Sequence, residues 1–111
     1  LRRRISVAPT ADEARAYAAA VSRRLKSFVA QDIRVQQTVP DAPPPAGGFT
    51  ISDEEFITGT PAEVAEQIVE QCRAVGAGHF LAVLHWGAPI DEVTAAHELF
   101  GGKTIPILRT A

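Results

Sequence analysis

The sequence has one cysteine, Cys72, no methionine, and few aromatic residues, namely five Phe, one Tyr and one Trp. A single cysteine closes no disulfide within the chain, and this points to a reducing, cytoplasmic setting. Excess charge of either sign is also missing: 11 Lys and Arg stand against 13 Asp and Glu, a formal net charge of −2. Neither nucleic acid nor a membrane surface is therefore an expected partner. The basic groups Arg2-Arg3-Arg4 and Arg23-Arg24-Lys26 are local, and no aromatic residues interleave with them as a base-stacking platform requires. No apolar run approaches the roughly 18 residues that cross a bilayer, and the start shows no signal-peptide pattern. The three histidines share no metal-ligand spacing, and Cys72 has no partner two residues away, so no metal site is expected. Nucleophile motifs such as G-x-S-x-G are absent too. The chain opens without methionine inside the basic-apolar run "LRRRISVAP", which reads as part of a longer protein.

What remains is ordinary globular material, 46% hydrophobic and 22% charged over 111 residues, enough for one domain with one modest core. One phrase recurs three times along it. "RRRISVA" precedes "PTADEARAYAAAVSRRLKSF", "EFITG" precedes "TPAEVAEQIVEQCRAVGAG", and "HFLAVLHWGA" precedes "PIDEVTAAHELF". The first helical stretch repeats apolar residues at Ala14, Tyr17, Ala18, Val21, Leu25 and Phe28. The second does so at Val64, Ile68, Cys72 and Val75, and the third, more weakly, at Val93, Ala96 and Phe100. Phe80 to Leu84 is continuously apolar, as in a strand buried on both faces of a parallel sheet. Strands alternating with helices of this length predict an α/β fold of βα units.

Two of the helix starts carry the same capping signature. Thr60, Pro61 and Glu63 supply an N-cap hydroxyl, a first-turn proline and a carboxylate three residues on, and Thr10 with Glu13 repeats the spacing. A Gly-Thr-Pro ahead of a helix also resembles the start of an anion cradle. Without further glycines or an adjacent lysine, the cap explains it more completely. The stretch from 30 to 53 breaks the rhythm. "QDIRVQQTV" reads as a short strand, and the Pro/Gly-rich segment at about 40–48 as a loop that either borders a site or makes a surface excursion.

In parallel α/β folds ligands gather at the carboxyl ends of strands. That rule selects "LHWGAP", where the apolar strand runs out. His85 is the candidate catalytic group, a hydrogen-bond donor or proton carrier near neutral pH. Trp86 and Gly87 are the candidate substrate- or cofactor-binding residues, the indole as a flat wall and the glycine as the turn. The plainer alternative is that His85 closes the strand end and Trp86 fills core. His79 falls at the amino end of the strand, His97 on a helix surface, and Cys72 on an apolar stripe.

Taken together and in order, "ISVAPTADEARA", "FITGTPAEVAEQIVEQCRAVGAGHFLAVLHWG" and "ELFGGKTIPILR" resemble the carboxyl-terminal part of the luciferase-like monooxygenases. The family's usual pattern there is similar: a G-[ST]-P-E-E-V helix start, a glycine-containing turn, a buried strand, and a last helix ending in LF…V-x-P-x-[LF]. The resemblance spans residues 1–111 apart from about 30–50. It implies the closing βα units of a TIM-type (β/α)8 barrel, and a flavin-dependent oxidation of a small organic substrate. The cofactor would be FMN or the deazaflavin F420, with the main cofactor contacts outside these residues, and a flavin reductase as partner to FMN-using members. A full barrel takes about 250 residues, so this reading calls for the remainder of the barrel or for self-association.

The rival from another class is an α+β ferredoxin-like domain, βαββαβ, acting as a dimeric ligand-binding or regulatory module. It requires "IRVQQTV" and "FTISDEEF" to pair antiparallel. A non-catalytic partner subunit contributing part of a barrel is the third reading.

Overall fold

The computed structural model describes residues 1–38, 56–84 and 88–111. Strand β1 (Arg2–Val7) leads into helix α1 (Ala11–Thr38), β2 (Phe56–Gly59) into α2 (Pro61–Val75), and β3 (Leu81–Val83) into α3 (Ile90–Leu99). A π-helical turn (Phe100–Thr104) then joins α3 to α4 (Ile105–Arg109). The fold is α/β, and the three strands among the described residues are parallel. Their order is β2-β1-β3, with Ile5 opposite Ile57 and Arg3 opposite Ala82.

Side-chain alternation along β1 sorts the layers. Ile5 and Val7 join Ile57, Val64, Ile68, Leu84, Ala96 and Phe100 in one apolar cluster beneath α2, α3 and the π-turn. Ser6 faces the other way and donates its hydroxyl to the Ala14 carbonyl of α1. Helices α1 and α2 therefore cover opposite faces. The chain steps one way from β1 to β2 and back across β1 to β3, so opposite faces give both crossovers the same hand, as chain twist requires. In a (β/α)8 barrel, consecutive strands neighbour one another in sequence order and all helices lie outside. Here β1 is central.

Three expectations are corrected by these elements. Residues 31–38, read as a short strand, are helical and belong to α1. The ferredoxin-like arrangement fails with them: its strand "IRVQQTV" is helix over residues 33–38, and the described strands pair only in parallel. The apolar run from Phe80 is not buried on both faces either. Within the described sheet β3 lies at an edge, and Leu81 is 61% exposed. The Pro/Gly-rich segment at 40–48 lies outside the described residues.

The last helix also runs further than its stripe predicts. Pro106 has no N–H to bond to the preceding turn, and its ring crowds the carbonyl four residues back. The chain accommodates it by widening one turn, so that the Ile105 N–H reaches the Phe100 carbonyl in the five-residue spacing of a π-helix. Thr104, fully buried, anchors that turn to α2 by donating to the Pro61 carbonyl at 3.3 Å. Among the described residues, no helix is long and apolar enough to cross a membrane.

Candidate functional site

A cleft of about 720 Å³ opens at the carboxyl end of β1. Its volume lies within the range usual for small-molecule sites. Val7, Ala8 and Pro9 form its floor. Ala16, Tyr17 and Ala20 border it from α1, and Ala95 and Leu99 from α3. The alanines recur at helical spacing, so short side chains face the cleft where longer ones would fill it. Gly102 and Lys103 enter the lining from the widened turn that Pro106 imposes. Sequence reading missed these residues because alanine carries no chemical signature. Pro106 is the signal that was available, since it marks the irregular turn.

Tyr17 ties the cleft to the end of β3. Its hydroxyl lies 3.5 Å from the Leu84 carbonyl, a long contact at the limit of a hydrogen bond. Burial raises the Tyr17 pKa above its ordinary value of 10.0, the Glu92 carboxylate raises it further, and Arg24 opposes both. The group is therefore a neutral hydroxyl near physiological pH. His85, Trp86 and Gly87, the residues chosen from sequence, follow Leu84 directly in the chain and lie outside the described residues.

The two capping signatures diverge. At α2 the box is complete: the Glu63 N–H donates to Thr60 Oγ1 at 3.4 Å, and the Glu63 carboxylate accepts from the Thr60 N–H at 3.0 Å. At α1 only half is made. The Glu13 N–H donates to Thr10 Oγ1 at 3.2 Å. The Glu13 carboxylate does not turn back to Thr10, and Glu13, an exposed residue, is one of those lining the cleft. The reciprocal bond expected for Thr10 and Glu13 is therefore absent.

His97 is exposed, with its Nδ1 2.8 Å from the Val93 carbonyl one turn back, a helix-surface role. The His79 carbonyl accepts from the chain's amino group at the amino end of β3. Cys72 packs half-buried against the apolar cluster. No group of three or more metal-binding side chains occurs among the described residues.

The charges of the cleft decide what it can hold. Glu13, Glu92 and Glu98 outnumber Arg24 and Lys103 in the lining. Floor and walls suit an uncharged or cationic organic body. They do not suit the phosphate of FMN or the acidic tail of F420, which need a surplus of cations or a cradle of backbone N–H groups. Comparison with known protein families and with curated proteins gives no match for this chain.

Proposed function

We propose that the chain is part of a luciferase-like, flavin-dependent oxidoreductase acting on a small organic substrate, and that the cleft at the end of β1 is its substrate side. The observation that carries the reading is position. The cleft lies at the carboxyl end of a parallel strand, where α/β folds collect their ligands, and Tyr17 links its wall to Leu84, immediately before His85 and Trp86. The cofactor's phosphate belongs on residues outside this cleft, and no step of flavin chemistry is assigned to the cleft side chains. Tyr17 supplies a neutral hydroxyl to the wall, the alanines supply width, and the acidic rim selects against anions. On this reading the closing units of a TIM-type barrel are the finer fold, which requires β2 to lie between β1 and β3 in the complete protein, in place of the order β2-β1-β3.

The test uses the complete protein. It is titrated with FMN and with F420 by cofactor fluorescence, and the reduced cofactor is then followed for oxidation of small organic substrates. FMN-using activity is expected to need a supply of reduced flavin from a partner reductase. Replacing His85 by alanine is expected to lower turnover while helix content, read by circular dichroism, stays unchanged. Neither cofactor binding nor turning over would end the flavin reading, and a wild-type rate in the variant would end the role of His85.

The strand order β2-β1-β3, with helices on both faces, favours a second reading. An open sheet of that order is complete as a small-molecule binding module without barrel closure. In that case β3 stays beside β1 in the whole protein, and nuclear Overhauser contacts between the backbones of Arg3 and Ala82 persist there.

A further inference from the structure

The half-made cap at α1 leaves a carboxylate to be explained. Thr-x-x-Glu closes fully at Thr60 and Glu63 but not at Thr10 and Glu13, although residue types and spacing are the same. A capping carboxylate stabilises the first turn by satisfying an orphan N–H, so its release forgoes a favourable contact. No hydrogen bond or ion pair engages the Glu13 carboxylate among the described residues. It lines the same cleft as Glu92 of α3, whose charge is felt at Tyr17. Between these carboxylates and the floor, the lining is predominantly apolar and its walls are largely alanine. The cleft thus pairs a slot for an apolar body with a rim that favours positive charge.

We propose that the cleft binds small organic cations, specifically a protonated amine carried on a flat apolar body, with Glu13 as a charge partner for the amine. This deepens the substrate side of the proposed function and names its chemical class. It rests on that reading only for what happens after binding. A carboxylate-bearing analogue of the same shape is disfavoured, because it would bring a fourth negative charge to a lining that already holds three against two cations. The site is open to solvent, so the discrimination is modest and falls with added salt.

The experiment compares three matched probes on the complete protein without flavin: 2-naphthylmethylamine, 2-naphthylmethanol and 2-naphthoate, titrated by calorimetry or saturation-transfer NMR at neutral pH. The amine is expected to bind about tenfold more tightly than the naphthoate, and high salt is expected to narrow the gap. Glu13→Gln keeps the side-chain shape and the backbone half of the cap. It is expected to weaken the amine roughly threefold to fivefold, the range of an exposed ion pair, and to leave the alcohol unchanged. Ala95→Phe fills the slot and is expected to weaken all three probes. Equal affinity for amine and naphthoate in the unaltered protein overturns the proposal without recourse to any variant. So does an unchanged amine affinity in Glu13→Gln. Because no flavin is present, failure here leaves flavin turnover to be judged by its own assay, and absence of flavin turnover leaves the amine selectivity standing.

Discussion

Replacing Gly59 by alanine tests how β2 is joined to α2. Gly59 is the last residue of β2, paired with Val7, and its carbonyl accepts from the Ala8 N–H at 3.2 Å. Its φ is +154°, and the capping residue Thr60 follows with no intervening loop. A Cβ at Gly59 would lie 2.9 Å from the Glu63 Cβ and closer still to Glu63 Oε2, the oxygen that closes the box on the Thr60 N–H. The space above a side-chain-free Gly59 is the space through which Glu63 curls back. Alanine there pays twice. A non-glycine residue in so sparsely populated a backbone region costs about 1–3 kcal/mol, and expelling the carboxylate forfeits a hydrogen bond worth about 1 kcal/mol net. The expected loss is about 2–4 kcal/mol, a large part of the roughly 5–15 kcal/mol that holds a domain together. Urea denaturation followed by far-ultraviolet circular dichroism reads it. Glu63→Ala alone should cost about 1 kcal/mol, and because the double variant loses that bond only once, its cost should fall short of the sum by about the same amount. Gly76→Ala is the control. Its φ is +65° with nothing within 4 Å of the added Cβ. It should therefore cost only about 1 kcal/mol of left-handed strain and add independently to Glu63→Ala. A Gly59→Ala variant within about 0.5 kcal/mol of the unaltered protein, the range of an ordinary surface substitution, or strict additivity with Glu63→Ala, refutes the account.

Two further predictions concern the cleft. Tyr17 is the sole tyrosine of the chain, so phenolate absorbance reports it alone. Its midpoint should lie above 10.0 and fall in Glu92→Gln, since burial first and Glu92 second raise it. With the folded pKa above the unfolded one, the neutral hydroxyl's contribution to stability is fully present below about pH 10 and lost as pH rises through the folded value. A midpoint at or below 10.0 contradicts the placement of Tyr17. Pro9→Gly should let Glu13 close its box. Greater unfolded-state freedom costs about 0.4–1 kcal/mol and the new hydrogen bond offsets a similar amount, so stability changes little while preference for the amine probe falls as it does in Glu13→Gln. Unaltered amine preference in Pro9→Gly would show that Pro9 does not hold the carboxylate in the cleft.

The readable parts of the fold were those fixed by local chemistry. Thr60, Pro61 and Glu63 mark the start of α2, because a hydroxyl, a fixed φ and a carboxylate at that spacing act within one turn of chain. The α/β alternation is legible for the same reason, from apolar periodicity within each element. Residues 31–38 were misread because Ile33, Val35 and Thr38 favour strands. Each costs a helix only a few tenths of a kcal/mol, too little to stop α1 from continuing through them. The edge position of β3 was hidden because an apolar run records side-chain type and not which strand lies alongside. The candidate site was hardest to read. Its floor comes from residues 7–9 and its walls from residues 13–24 and 92–103, brought together by the crossovers, and alanines far apart in a sequence give no sign that they face one another.

The contrast between the two Thr-x-x-Glu motifs shows where local chemistry stops being sufficient. A capping box is written as a relation between N-cap and N3; of the two stretches with that relation one closes and one does not, and they differ in the residue before the cap. At α2 that residue is Gly59, whose positive φ and missing Cβ leave room for the returning carboxylate. At α1 it is Pro9, whose ring fixes φ near −65° and places atoms where Gly59 has none. Pro9 and Glu13 both line the cleft. Pro9→Gly tests whether the proline ahead of the cap is what leaves this box open and its carboxylate available to the cleft.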